Sequence, residues 1–334
     1  MAKKIKDTDY LALSACIRAM ETQLVTKERM EQVLAARTDE EACKLLQECG
    51  YRDLDLSTPE AMDASLLAAR QEMLESLSGS VPDEHFLNIF KLKYDYHNLK
   101  ALLKARPSGV DVTHILMDLG RVSALQLREA VENGGTDQLP PMLAAAAEAG
   151  REVLDTTRDG QLMDMALDRW YYREMRQIAD EAGSDFLRGY VRTQIDAVNL
   201  RALVRTLRMG KNTDFLRQVL IEGGSISPEE LFNVSAQGGS GFAELCASTP
   251  FAAAAESGAE ALKGGALTEF EKRCDDAVGA YLSDAKFVPF GEQPLVAYLA
   301  ARESEYTNLR ILLLGRSMGL APEVIRSRLR ESCI

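Results

Sequence analysis

Apolar residues along this chain recur at three- and four-residue intervals, not at every second position. Pro141 and Pro228 bound a long proline-free stretch. Within it Leu162, Ala166, Leu167, Trp170 and Met175 follow helical spacing, and Ile195, Val198, Leu203 and Leu207 do so further on. Alternating β-branched runs are absent. The predicted fold class is all-α. Helices are expected near both ends as well, over Tyr10 to Leu24 and over Pro322 to Arg330.

A repeat runs through the polar positions of these stripes. The pattern acid-x-x-Asn-Leu-base-x-Leu occurs at Asp95–Leu102 (DYHNLKAL), Asp196–Leu203 (DAVNLRAL) and Glu305–Leu312 (EYTNLRIL), at spacings of 101 and 109 residues. A further acid, Asp63, Asp168 or Asp275, precedes the copies by 32, 28 and 30 residues. Gly-x-[Val/Ile]-Ser-x-x-x-Leu follows the first two copies at Gly120–Leu127 and Gly224–Leu231. Two segments read as relatives of it: Val25-Thr26 leading to Met30 before copy one, and Leu320-Ala321-Pro322 leading to Val324 and Ile325 after copy three. The Ser or Thr suits a helix N-cap, and Pro228 and Pro322 suit a first helical turn.

These marks define a unit of about 100 residues, a capped short helix, a Gly/Ala-rich loop and longer helices ending in the Asn-Leu motif. Three units are expected: 1–121 with the N-terminal helix, 122–225, and 226–334 with the C-terminal helix. The N-terminal helix stands where a unit's last helix would be, and the C-terminal helix where a first would be. Half-units at both ends suit a compact object of quasi-threefold character more than an extended rod.

On a helix the positions i, i+3, i+4 and i+7 share a face. Asp95, Asn98, Leu99 and Leu102 therefore lie on one stripe, as do Asp196, Asn199, Leu200 and Leu203, and Glu305, Asn308, Leu309 and Leu312. The leucines point these stripes at the core. A buried polar group without a partner costs about 1–3 kcal/mol, so each acid and each Asn is expected to bond a neighbouring helix or its backbone. The base at i+5 (Lys100, Arg201, Arg310) falls about 140° around the helix, at a groove edge or in solvent. General acid/base or metal chemistry is the alternative for these carboxylates. Repetition argues against it, because an active site seldom needs three equivalent copies a hundred residues apart.

Charge and composition narrow the function further. The 334 residues are 46% hydrophobic, enough for packed cores, and the net charge of −12 suits neither nucleic acid nor anionic lipid. No uncharged run approaches the roughly 18–20 residues a membrane span needs, and no apolar segment follows the N-terminal lysines as in a signal peptide. Cys16, Cys43, Cys49, Cys246, Cys274 and Cys333 form no CxxC pair and read as reduced thiols of a cytosolic chain. His85, His97 and His114 make no HExxH, and His97 is replaced by Val198 and Thr307 in the other motif copies. Arg208–Thr213 lacks the upstream glycine of a phosphate loop and has Asn212 where Ser or Thr binds magnesium. Gly238–Gly241 reads as a loop, and Asp275-Asp276 lacks the third acid of an aspartate-rich metal motif. No catalytic, cofactor or metal site is expected, nor a small-molecule ligand. Arg326, Arg328 and Arg330 make the last helix basic, which suits a helix C-terminus; Arg326 and Arg330 are the candidates there for a partner contact.

The pattern resembles a known family, the C subunits of the archaeal and bacterial A/V-type ATP synthases, related to the d subunit of the eukaryotic vacuolar ATPase. Phe290–Ser332 carries Gly-Glu-x-Pro-Leu, Glu-x-x-Asn-Leu-Arg and Gly-Leu-x-x-Glu-x-Ile-Arg in order. Tyr10–Tyr51 looks like the family's opening and Ile195–Arg205 like its middle, while the Ala- and Gly-rich region from Val234 to Ala266 departs from it. The resemblance implies three similar helical domains arranged as a funnel about a pseudo-threefold axis. It further implies a non-catalytic rotor adaptor that sits on the membrane rotor ring, receives the central stalk formed by the D and F subunits, and transmits torque. That places the chain on the cytoplasmic face of the membrane as a peripheral component, held by protein contacts without lipid insertion. The competing readings are a helical scaffold of an unrelated assembly and an all-α enzyme, the latter requiring Asp95, Asp196 or Glu305 to line an open cleft.

Overall fold

The computed structural model describes residues 5–330, and among these every regular element is a helix. In chain order the α-helices are α1 (Leu11–Glu21), α2 (Lys27–Ala35), α3 (Asp39–Gln47), α4 (Pro59–Leu77), α5 (His85–Ala105), α6 (Ala124–Asn133), α7 (Pro141–Thr157), α8 (Gly160–Ala182), α9 (Asp185–Arg208), α10 (Thr213–Val219), α11 (Pro228–Ala236), α12 (Phe242–Cys246), α13 (Ala252–Leu262), α14 (Leu267–Ser283), α15 (Glu292–Ser317) and α16 (Pro322–Arg326). Short polar residues start many of them. Thr26, Ser123 and Ser227 accept the backbone N–H groups of Arg29, Gln126 and Glu230, and Ser227 closes a capping box with Glu230. Cys16, Cys43, Cys49, Cys246 and Cys274 are free thiols, and Cys333 lies outside the described residues.

The chain forms two compact units, Glu84–Gly241 and Met1–Asp83 with Phe242–Ile334. Their boundaries fall inside the first and third segments marked by the sequence repeat. In the unit Glu84–Gly241, α8 packs on α5, α7 and α9, while α10 and α11 flank α9. Leu92, Leu99, Leu127, Leu143, Leu167, Leu200 and Leu203 are fully buried there. Gly150 lets α7 close on its neighbours, since a Cβ at that position would stand 2.9 Å from Leu103 and 3.0 Å from Leu167.

In the unit formed by the two chain ends, α15 is the central element and touches α1, α2, α4, α14 and α16. Ile17, Leu46, Phe242, Phe251, Phe270 and Tyr306 fill this core. The Ala- and Gly-rich stretch, expected as a loop, instead contributes α12 and α13. Alanine has the strongest intrinsic helix preference, and Phe242, Phe251 and Phe270 anchor the segment in the core. Gly258 admits them: a Cβ there would meet the Phe242 ring at 2.5 Å. Gly238, Gly239 and Gly241 do form a turn, all with positive φ.

The helix expected over Pro322 to Arg330 ends at Arg326. Its last residues leave the helix because the backbone N–H of Arg330 bonds the side chain of Asn308.

Candidate functional site

One motif copy lies on each of α5, α9 and α15, and each turns its acid and its Asn inward. Asp95, Asn98, Asp196, Asn199, Glu305 and Asn308 are at most 4% exposed, and Leu99, Leu200 and Leu309 are completely buried. Each Asn uses both ends of its amide on one backbone residue. Asn98 donates Nδ2–H to the Met117 carbonyl at 2.8 Å and accepts the Met117 N–H at 2.8 Å. Asn199 does the same to Ile221 at 2.7 and 2.9 Å, and Asn308 to Arg330 at 3.0 and 2.9 Å. The amide thus replaces the partner strand that an isolated extended residue lacks, and leaves no buried N–H or C=O of that residue unpaired.

The acids bind the segments that lead into the capped helices. Asp95 accepts the N–H groups of Arg121 (3.0 Å) and Val122 (3.3 Å). Asp196 accepts those of Ser225 and Ile226, both at 3.0 Å. Glu305 accepts the N–H of Val25 at 2.5 Å, from 280 residues away in the chain. Val122, Ile226 and Val25 each stand immediately before an N-cap residue: Ser123, Ser227 and Thr26. The segment serving copy three is therefore Val25-Thr26, at the other end of the chain.

This corrects the reading of Leu320-Ala321-Pro322 as a first-helix segment. α16 lies between the copy-three motif and the clamped Arg330, just as α10 lies between the copy-two motif and the clamped Ile221. The two cap signals look alike in sequence because both begin short helices.

The joints differ in how the buried charge is met. Asp95 also takes the Arg121 Nε–H at 2.7 Å. Arg121 in turn donates to Glu174 at 2.7 Å, whose other oxygen accepts the Tyr96 hydroxyl at 2.8 Å. Glu305 accepts the Tyr51 hydroxyl at 2.6 Å and pairs with Arg302, which stacks over the rings of Tyr51 and Tyr306. Asp196 has backbone donors, the Ser225 hydroxyl and the field of Arg192, one turn earlier, with no ion pair among the described residues. Burial pushes all three carboxyl groups above their ordinary range, opposed chiefly by Arg121 at Asp95, by Arg302 at Glu305 and by the Ile226 N–H at Asp196. Desolvation and the neighbouring carboxylate hold the Tyr96 and Tyr51 hydroxyls protonated as donors.

Outside the stripe, Lys100 bonds Asp168 at 2.5 Å, and Arg310 bonds Asp63 in a fork at 2.6 and 3.0 Å. These two upstream acids are thus paired to motif bases. Asp275 takes the Arg330 guanidinium at 2.5 Å, and Arg326 forks onto Glu31 at 2.9 and 3.0 Å. Every carboxylate of the motif already accepts bonds from its own chain. Among the described residues no group of three or more His, Cys, Asp or Glu is placed to hold a metal ion.

Comparison with known proteins bears on what such an arrangement serves. The family model for the ATP synthase (C/AC39) subunit matches residues 13–328. The chain belongs to that family. The C subunit of a V-type sodium ATPase from Enterococcus hirae is 25% identical over 330 residues, covering 97% of this chain and 98% of the relative. The C subunits of the A-type ATP synthases of Methanocaldococcus jannaschii and Thermococcus kodakarensis are 26% and 24% identical, covering 96% and 98% of this chain and 86% and 92% of those proteins. In this C/AC39 family member no described helix is long and apolar enough to cross a membrane.

Sequence reasoning missed the partners of the motif. Met117, Ile221 and Arg330 are engaged through their backbones, so nothing in their side chains marks them. Arg121 carried a usable signal, a base directly after the glycine of Gly-x-Val-Ser, where Ser225 stands in the second copy.

Proposed function

We propose that the chain is the non-catalytic adaptor of a V/A-type rotary ATPase, joining the central stalk, made of the D and F subunits, to the membrane rotor ring and carrying torque between them. Its three motif-bearing modules would form a closed, pseudo-threefold funnel on the cytoplasmic face of the membrane. The observation that supports this most is the bond from Glu305 to Val25. Two joints tie a motif helix to the segment that follows it in sequence, whereas the third ties the last motif helix to the chain's beginning. Such closure stiffens a body against twisting, which suits the transmission of torque.

The buried, fully engaged carboxylates suit a mechanical part, and the relatives are named as components of ATPases and ATP synthases. Of the two C-terminal candidates, Arg326 lies at the surface, already paired with Glu31, and Arg330 is half-buried on Asp275. The deciding experiment compares the rotary complex with and without this chain. Without it, ATP hydrolysis by the head should persist while ATP-driven ion transport is lost, and adding the chain back should restore transport. Transport that survives its removal, or ATP hydrolysis by the isolated chain, overturns the reading.

A further inference from the structure

The chain is acidic overall, yet its sign reverses locally: residues 169–217 hold ten bases against six acids. Part of this excess is a single surface. Arg169, Arg173 and Arg176 stand at i, i+4 and i+7 on the outer face of α8, all exposed. Arg188 and Arg192, at i and i+4 on α9, line the same small cleft as Arg176, together with Ala179, Asp180, Val191 and Gly223. Few of these cations are neutralised. Arg188 pairs with the exposed Asp185, Arg176 donates to the Glu222 carbonyl at 3.3 Å, and Arg173 stacks on Trp170 at 4.9 Å. Among the described residues Arg169 and Arg192 bond no carboxylate.

Folding accounts for only part of this gathering: Arg176 bonds the Glu222 carbonyl, whereas among the described residues Arg169, Arg173, Arg188 and Arg192 form no hydrogen bond or ion pair to another element. Like charges at i and i+4 are mutually destabilising on a helix. We propose that the α8–α9 face is a docking surface for an acidic helix of a partner protein, one presenting carboxylates at i, i+4 and i+7. A rise of 1.5 Å per residue places Arg169 and Arg176 about 10 Å apart, and glutamates at the same spacing on a facing helix match them. Guanidinium groups favour such forked carboxylate contacts. Nucleic acid fits less well. The surrounding chain, at −12, repels a long polyanion over the ~8 Å of a Debye length, and Asp180 and Glu181 close one end of the stripe. This surface is inferred from the charge pattern of one unit and does not depend on the rotor reading.

Trp170 is the chain's one tryptophan, and Arg173 covers its ring, so its fluorescence reports on the site. The probe is an alanine-based helical peptide with glutamate at i, i+4 and i+7, titrated into the full chain at low salt. A saturable change in Trp170 emission is expected, weakening as salt rises and absent with the glutamine version of the peptide. Arg169→Glu/Arg176→Glu/Arg192→Glu should weaken binding at least tenfold. Arg128→Glu, on α6 and not among the residues lining the cleft, should leave it unchanged, and far-UV circular dichroism should show full helix content in both variants. Equal binding by the triple variant overturns the proposal, as does no response to the glutamate peptide. Tighter binding of duplex DNA or phosphatidylserine vesicles than of the peptide overturns it too, in favour of a different partner class.

Discussion

Replacing Asn199 by leucine isolates what the motif contributes to stability. The side chain is completely buried, and its amide holds the N–H of Ile221 at 2.9 Å and its C=O at 2.7 Å. Leucine has nearly the same shape and fills the space, so the variant leaves little cavity. It does leave two backbone groups of Ile221, itself 4% exposed, without partner or water. At about 1–3 kcal/mol for each unsatisfied group, Asn199→Leu should cost about 2–6 kcal/mol. That is a large part of the roughly 5–15 kcal/mol that typically separates folded from unfolded states.

Urea unfolding followed by Trp170 emission measures the loss directly, because Trp170 and Asn199 lie in the same compact unit. With a slope of about 1–3 kcal/mol per molar urea, the midpoint should fall by about 2 M at the middle of both ranges. Far-UV circular dichroism reports both units, so a split transition shows whether the other unit stands without this one. If the Trp170 midpoint does not move, the paired bonds do not hold the segment, and the packing account of the motif fails.

Four further outcomes test the joints. Gly120→Ala and Gly224→Ala each place a Cβ 2.1 Å from the carboxylate oxygen of Asp95 or Asp196, and should lower stability by about 1–3 kcal/mol; unchanged melting temperatures would show that the segments simply move aside. Arg121→Met leaves Asp95 and Glu174 buried without their shared cation and should cost about 3–5 kcal/mol in urea unfolding, against under ~1 kcal/mol if the pair is dispensable. Glu305→Asp withdraws the carboxylate from Val25 and Tyr51 while Glu305→Gln keeps the reach, so thermal melting should rank wild type, then Gln, then Asp; Asp equal to wild type would refute it. Burial raises the Asp196 pKa, so its stabilising contribution is complete below the unfolded value and is lost as pH rises through the folded one. Relative to Asp196→Asn, wild-type stability should therefore fall as pH rises above about 4, the ordinary range of an unfolded aspartate, and a difference that stays flat or grows with pH contradicts this sign.

Much of the helical layout could be read from the residues, because apolar spacing, N-caps and first-turn prolines are all local. The stripe of acid, Asn and Leu on α5, α9 and α15 could be read for the same reason. Less local features could not. The Ala-rich segment from Val234 to Ala266 carries too few large apolar residues to show a period, and its helices are fixed by contacts with Phe242, Phe251 and Phe270. The helix drawn through Arg330 stops at Arg326 because Asn308, 22 residues earlier, takes the Arg330 backbone. Periodicity carries no information about such a bond. The same limit made Pro322 look like the start of a new module: the true lead-in segment for copy three is Val25, which only the folded chain brings to Glu305.

Why copy three uses glutamate where the others use aspartate follows from this closure. Two residues before Val122 and Ile226 stand Gly120 and Gly224, and each lies so close to its aspartate that no side chain would fit. A short carboxylate must be approached closely, and only glycine permits it. Two residues before Val25 stands Gln23, exposed and bearing a full side chain. The neighbouring Leu24 N–H is already bonded to the Glu21 carbonyl at the end of α1, so a second backbone donor like those of Arg121 and Ser225 is lacking. Glutamate, one methylene longer, reaches Val25 without the close approach, and its other oxygen is met by Tyr51 and Arg302 in place of the missing backbone donor. Acid length, the residue two before the cap and the side-chain donors therefore vary together. That covariation is what a joint closed by the far end of the chain requires, since its lead-in segment leaves a helix and not a glycine turn.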